Sequence, residues 1–230
     1  YETEPGVYDC YMYLTDLVLI LEKKFWTERD VLCIDPETKL VLNMQQLESE
    51  DFFSGTNTVL IGDATTGEVY YSYNGDAPAA MASTTKLMTY LIVMDAVSNG
   101  QISLTDIVEV SENVNRLSYA VDGVIRMPTG QTVSVNDLLG GMLLPSSNEC
   151  ALALAEYVAG TEEAFVNKMN AKASAIGLSE ATRFYNCNGL PTYTDTAFES
   201  KIQNRISSKD MFKLVSYIIA VYPQITDITS

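Results

Sequence analysis

Between residues 57 and 98 the hydrophobic period changes once, from that of a strand to that of a helix, and this switch limits the folds open to the chain. Thr58-Val-Leu-Ile-Gly62 is a short apolar run, Asp63-Ala-Thr-Thr-Gly67 has turn chemistry with a glycine where positive φ is expected, and Glu68-Val-Tyr-Tyr-Ser-Tyr73 is rich in β-formers. Together they predict a β-hairpin. Beyond Pro78 the period is helical: from Ser83 onward, Leu87, Tyr90, Leu91 and Met94 recur at i, i+3, i+4 and i+7, and Gly100 follows. The pattern then stays helical. Asp137 to Leu144 predicts a short helix halted by Pro145, and Asn148 to Val158 a second, with Ala151, Leu154, Ala155 and Val158 on one face and Gly160 after it. Thr161 is placed to cap a third helix, with Glu162 and Glu163 against its dipole and Phe165, Met169 and Ala173 turned inward. Ser207 caps a last one carrying Met211, Leu214, Val215 and Ile218. One hairpin followed by a block of helices predicts an α/β domain with an all-helical lobe.

Residues 1–55 read differently. Val31-Leu-Cys-Ile-Asp35 and Leu40-Val-Leu-Asn43 predict two short strands about a turn opened by Pro36. Tyr11 to Phe25 fits two patterns: a pair of strands, or a helix on Leu14, Leu17, Val18 and Leu21. The stretch carries no catalytic signal and reads as a small, β-rich subdomain or a layer added to the main sheet, beside a domain spanning 56–230. There is no start methionine and no basic-then-apolar leader, so any signal peptide is expected to lie outside this sequence. No apolar run approaches the length of about 18 residues that spans a bilayer; the run at Leu17 to Leu21 is closed by Glu22, Lys23 and Lys24.

Composition narrows the chemistry. A net charge of −16 argues against nucleic acid or an anionic lipid surface as partner, since both require a basic face. Cys10, Cys33, Cys150 and Cys187 show no CxxC spacing, so a zinc site is not expected. Four cysteines allow three disulfide pairings, and buried free thiols fit equally well. Histidine is absent altogether. Every Ser-His-Asp or Cys-His arrangement is thereby excluded, and a hydrolase built on this chain needs Lys, Glu, Asp or Tyr as its base.

Two elements meet that requirement. Ser83-Thr-Thr-Lys86 opens a helix, and its spacing puts the hydroxyl and the amine on one face about a turn apart. The serine sits where free N–H groups and the helix dipole favour developing negative charge, and a desolvated lysine beside it can act as base. Ser146-Ser147-Asn148 follows Gly140-Gly-Met-Leu-Leu-Pro145 on a loop between helices, where a hydroxyl and an amide two residues apart can project into a cleft. Ser and Asn are also ordinary helix caps.

The order of these elements and their flanks carries a resemblance. Gly62-Asp-Ala-Thr-Thr-Gly-Glu-Val-Tyr-Tyr71, Ala82-Ser-Thr-Thr-Lys-Leu-Met-Thr89 and Pro145-Ser-Ser-Asn-Glu-Cys-Ala-Leu-Ala-Leu-Ala-Glu156 resemble the low-molecular-mass penicillin-binding proteins that act as D-alanyl-D-alanine carboxypeptidases. Asn186-Cys-Asn-Gly-Leu190 and Ile206-Ser-Ser-Lys-Asp-Met211 match the same run, so the similarity covers about residues 56–228. The resemblance implies a β-lactamase/transpeptidase-like fold, an antiparallel sheet plus an all-helical lobe. It implies Ser83 as acylated nucleophile, Lys86 as its base, Ser146 in proton transfer and Asn148 holding the substrate, with the Ser83 N–H as half of an oxyanion hole. No cofactor or metal is implied. The implied partners are peptidoglycan stem peptides ending in D-Ala-D-Ala, with β-lactam antibiotics as covalent inhibitors, on the extracytoplasmic side of a bacterium: cell envelope or secreted.

The sequence departs from that family at one point. A Lys-Thr-Gly or Lys-Ser-Gly strand closes the family's site after the helical lobe, yet none of the nine lysines here is followed by Thr-Gly or Ser-Gly. The C-terminal sheet strands are therefore expected to be missing, from a truncated or processed piece or from a member without turnover. A non-catalytic wall-binding or sensor domain is the alternative function, and a β-lactamase, which needs a deacylating glutamate on a loop, the other. With one oxyanion donor absent, a loss on the order of 100- to 1,000-fold is expected. The 230-residue chain should thus release D-alanine from D-Ala-D-Ala peptides very slowly or not at all, as a coupled D-alanine assay would show; rapid release would point to a substitute cation, Lys23 or Lys24 first.

Overall fold

A five-residue apolar strand can only be buried along its whole length if it is covered on both faces and paired on both edges. This is the position of β4 (Val59–Asp63), every residue of which is buried. The computed structural model describes residues 17–20, 33–34, 41–42, 57–120, 122–193 and 201–229. In it β4 pairs antiparallel with β5 (Glu68–Tyr73) and parallel with β1 (Leu17–Ile20), which lies in register from Leu17 opposite Val59 to Ile20 opposite Gly62. The hairpin turn is closed by Asp63, whose Oδ1 accepts the N–H groups of Thr65 (2.8 Å) and Thr66 (3.2 Å), and by Gly67 at φ 75°. β2 (Cys33–Ile34) and β3 (Val41–Leu42) pair antiparallel, as the flanks of Pro36 predict. Of the ambiguous stretch Tyr11 to Phe25, the described part is the strand β1; the rest, with Lys23 and Lys24, lies outside the described residues.

The chain then runs through β6 (Pro78–Ala80) and a 3-10 turn (Ala82–Thr85) into α1 (Lys86–Ser98). The sequence predicts α1 as amphipathic, and the structure corrects this. Met88, Thr89, Ile92 and Val93 are buried together with Tyr90, Leu91 and Met94, so α1 is covered almost all round. It forms the axis of the lobe, in contact with α3 (Val135–Leu143), α4 (Asn148–Ala159), α5 (Glu162–Ala175) and α6 (Ser208–Val221). Two short antiparallel pairs staple the lobe. β7 (Ile107–Glu109) pairs with β8 (Thr132–Ser134), and β6 pairs with β11 (Arg205–Ser207) across more than a hundred residues of sequence.

Caps set the helix boundaries. Ser111 starts the short polar α2 (Glu112–Ser118), which no apolar period announces, accepting the N–H of Val114 at 3.2 Å. Ser134 accepts that of Asp137 (3.0 Å), so α3 begins two residues before the predicted start. Thr161 and Ser207 cap α5 and α6 as predicted, and Gly160 ends α4 at φ 79°. A small helix α7 (Ile225–Thr229) follows α6, and β9 (Thr192–Tyr193) pairs with β10 (Lys201–Ile202). α6 also packs on the sheet at β1 and β4, at a point where Gly62 is required: a Cβ there would stand 2.6 Å from the Glu68 carbonyl oxygen and 2.8 Å from the Phe212 ring. Cys150 and Cys187 are buried free thiols. No helix among the described residues is long and apolar enough to cross a membrane.

Phe165 and Thr161 separate core from cap. Phe165 is fully buried, so Phe165→Ala is expected to cost about 3–5 kcal/mol in urea unfolding. Thr161→Ala removes one cap bond and is expected to cost about 1 kcal/mol.

Candidate active site

A lysine ammonium that leaves water needs acceptors for all three N–H groups. Lys86, at the start of α1, is 3% exposed and finds four. Its Nζ donates to Ser83 Oγ (3.0 Å), Ser146 Oγ (3.2 Å), Asn148 Oδ1 (2.9 Å) and the carbonyl oxygen of Asn188 (3.1 Å). Both sequence-predicted elements therefore meet on one nitrogen. Four acceptors exceed three N–H groups, which leaves room for one hydroxyl to turn and donate to the nitrogen once it is neutral. Burial lowers the Lys86 pKa to about 8, against the opposing effect of nearby acidic groups, Glu149 among them.

Each element is presented by a local device. Ser83 lies in the 3-10 turn ahead of α1 and is exposed, while Lys86 one turn on is buried. The residue before it, Ala82, has φ 41°, a left-handed backbone that a β-carbon disfavours. That bend is held from behind by the β6–β11 pair and by the Met81 N–H on the Asn204 carbonyl oxygen (3.1 Å). Ser146 is left-handed too, at φ 63°. Between Ser146 and Asn148, Ser147 is the N-cap of α4, accepting the N–H of Cys150 at 3.0 Å. Capping and chemistry are thus divided. The middle serine serves the helix, and its two neighbours are free to face Lys86. The Asn148 amide is used at both ends, since its Nδ2 donates to the Asp122 carbonyl oxygen (3.0 Å).

A third wall went unassigned in the sequence. The loop 186–190 lends the Asn188 carbonyl to Lys86 and is fastened to α1 by the Thr89 hydroxyl on the Cys187 carbonyl (2.6 Å). Within it, Asn186 Oδ1 accepts the Gly189 N–H (2.7 Å) and Asn186 Nδ2 donates to the Leu190 carbonyl (2.6 Å). Asn204, fully enclosed, joins this loop to the Ser83 turn. Its Nδ2 donates to Thr85 Oγ1 (2.9 Å) and the Asn186 carbonyl (3.0 Å), and its Oδ1 accepts the Tyr185 N–H (2.6 Å). The Asn-Gly pair at 188–189 signals a tight turn in sequence; nothing in the sequence signals Asn204. A cleft of about 760 Å³ opens beside this loop, lined by Arg116, Glu156, Glu162, Asn186, Asn188 and Leu190 among others. No cluster of His, Cys, Asp and Glu among the described residues is arranged to hold a metal ion.

Gly189 has φ 90°, and a Cβ there would lie 1.8 Å from the Ala82 carbonyl oxygen. Gly189→Ala is therefore expected to push the Ser83 turn off the loop, with a cost of at least the roughly 1–3 kcal/mol typical of local strain, read as a lowered thermal midpoint. Gly67→Ala is the comparison: it is equally left-handed but in open space, and should cost only about 1–2 kcal/mol.

Comparison with known proteins places this geometry in a family. The model for peptidase family S11, D-alanyl-D-alanine carboxypeptidase, matches residues 44–230. The chain is 34% identical to D-alanyl-D-alanine carboxypeptidase DacF of Bacillus subtilis over 168 residues, 73% of this chain and 41% of that protein. It is 35% identical to D-alanyl-D-alanine carboxypeptidase DacC of Escherichia coli over 134 residues, 57% of this chain and 33% of that protein. The chain thus spans less than half the length of these curated relatives. Among solved structures, the peptidoglycan synthesis regulatory factor PBP3 of Streptococcus pneumoniae superposes with a TM-score of 0.69 at 29% identity, covering 75% of this chain and 49% of that one. Penicillin-binding protein 5 of Haemophilus influenzae gives 0.66 at 29% identity, with 75% and 47% covered. Helical lobe, partial sheet and family match agree: the chain belongs to the D-alanyl-D-alanine carboxypeptidase family, peptidase family S11.

Proposed function

We propose that this chain carries the acylation centre of a serine D-Ala-D-Ala carboxypeptidase acting on peptidoglycan stem peptides. The observation behind this reading is the buried Lys86 nitrogen 3.0 Å from Ser83 Oγ and 3.2 Å from Ser146 Oγ. With Lys86 neutral, its lone pair takes the Ser83 proton as Oγ attacks the carbonyl carbon of the penultimate D-alanine. The Ser83 N–H stabilises the oxyanion. Collapse of the tetrahedral intermediate breaks the peptide bond, and the proton on Lys86 passes through the Ser146 hydroxyl to the departing D-alanine nitrogen. Water then cleaves the acyl ester on Ser83 and restores the hydroxyl. Asn148 orients Lys86 and the incoming peptide, and the cleft beside loop 186–190 receives the acyl side of the stem.

β-Lactams follow the first half of the same path and stop as an ester on Ser83. The substrate lies outside the cytoplasmic membrane, so the envelope or the exterior of a bacterium is the site of action. Within this proposal residues 56–230 form the penicillin-binding domain, and residues 1–55 an N-terminal region that adds β1 to its sheet. A second reading is a wall-binding domain of the same fold without turnover.

Fluorescent penicillin and intact-mass measurement separate the two. Labelling of the chain that disappears in Ser83→Ala is the expected result, with unfolding unchanged to within about 0.5 kcal/mol because Ser83 is exposed. An adduct surviving in Ser83→Ala would sink the nucleophile assignment, and a folded chain that never labels would support the binding domain. Acylation requires neutral Lys86, so its rate should climb with pH to a plateau above about 8 and fall about tenfold per unit below it. Lys86→Arg, whose guanidinium stays charged, should acylate at a negligible rate throughout.

A further inference from the structure

The residue after Asn148 is a carboxylate with no access to solvent. Glu149 is 0% exposed, a rare state for a glutamate. Its Oε1 accepts the backbone N–H groups of Val124 (2.9 Å) and Ile125, while Oε2 is buried with no hydrogen-bond partner. Neither of the ion pairs among the described residues involves it. Burying a carboxylate on these terms opposes folding, so its neighbours matter.

The amides it holds belong to the loop 122–126, which reaches the Ser83–Lys86 site through Asn148. The far end of that loop is fixed on α2: Met127 N–H donates to Ser118 Oγ (3.1 Å) and Arg126 Nη1 to the Ser118 carbonyl (2.6 Å). Its near end gives the Asp122 carbonyl to Asn148 Nδ2. An asparagine amide can present oxygen or NH₂ to a neighbour by a half-turn of its last torsion. The Asp122 carbonyl selects the orientation in which oxygen faces Lys86; the reverse would set two donors against each other.

We propose that Glu149 is a positioning residue for Lys86: its carboxylate pins the 122–126 loop, so that Asp122 turns the Asn148 oxygen onto the lysine, and its negative charge favours the ammonium. Among the other ionisable groups around Lys86, burial and the Glu162 carboxylate push the Cys187 thiol well above its usual range, so it is uncharged where Lys86 titrates. The Asp122 carboxylate is exposed and screened by water. Glu149 is then the charge that opposes the loss of proton affinity caused by burial.

The catalytic meaning of this device rests on the Ser83–Lys86 reading; the test reads Lys86 itself and needs no acylation. In the full chain labelled with ¹³Cε-lysine, the Lys86 resonance is identified by its loss in Lys86→Arg and titrated in the native chain, Glu149→Gln and Glu149→Asp. Glu149→Gln keeps the reach and removes the charge, so the Lys86 midpoint should move down from about 8 by on the order of half a unit. Glu149→Asp keeps the charge but is one methylene short, so the Val124 and Ile125 amides should exchange about tenfold faster. An unmoved Lys86 midpoint in Glu149→Gln, or unmoved exchange in Glu149→Asp, would overturn the proposal. The variants report separately, so one that does not fold leaves the other decisive.

Discussion

Everything in the lobe turns on keeping one ammonium group out of water. Lys86 is desolvated on α1, and its four acceptors come from the 3-10 turn, the α3–α4 loop, α4 itself and loop 186–190. A buried cation without such partners would force the chain to rearrange or to give up its proton. With them it stays bound and loses part of its proton affinity, which is the property a histidine-free hydrolase needs. Three of the four contacts tie Lys86 to residues 60 to 102 positions away, so the proposed chemistry and the tertiary fold rest on one set of bonds.

Holding such a site costs backbone strain, and the surrounding elements carry it. Ala82 and Ser146 both sit in the left-handed region, next to the proposed nucleophile and at the proposed proton relay. Ala82 is over-determined by the β6–β11 pair, by Asn204 and by the close approach of Gly189. Ser146 is bounded by α3 on one side and by the cap bond of Ser147 on the other. Strain accepted at two neighbouring turns and supported by hydrogen bonds from outside them marks a site whose geometry is fixed before a ligand arrives.

The sheet makes a different bargain. β4 is buried along its whole length, and an unpaired edge beside it would expose a row of N–H and carbonyl groups. β1, from a part of the chain whose sequence fits strand and helix equally, pairs with that edge in parallel. Its four apolar residues have no local reason to choose extended backbone over helix. The edge of β4 offers them main-chain partners, and that contact decides.

What the sequence by itself determined was governed by contacts within a few residues, although the Ser111 and Ser134 caps are also local and were not read from it. The hairpin at Asp63–Gly67, the Thr161 and Ser207 caps, the inward face of α5 and the Ser83–Lys86 spacing all follow from local hydrogen bonds and the helical repeat. The absence of histidine likewise limits any general base to Lys, Glu, Asp or Tyr. Tertiary structure decided what depends on segments far apart. It buried α1 almost all round, brought Ser146 and Asn148 onto Lys86, and brought in Asn188, Asn204 and Glu149. The physical reason is that these residues act through groups every sequence contains, a backbone carbonyl, an amide, a carboxylate. Such groups acquire meaning only when folding removes the water that would otherwise satisfy them.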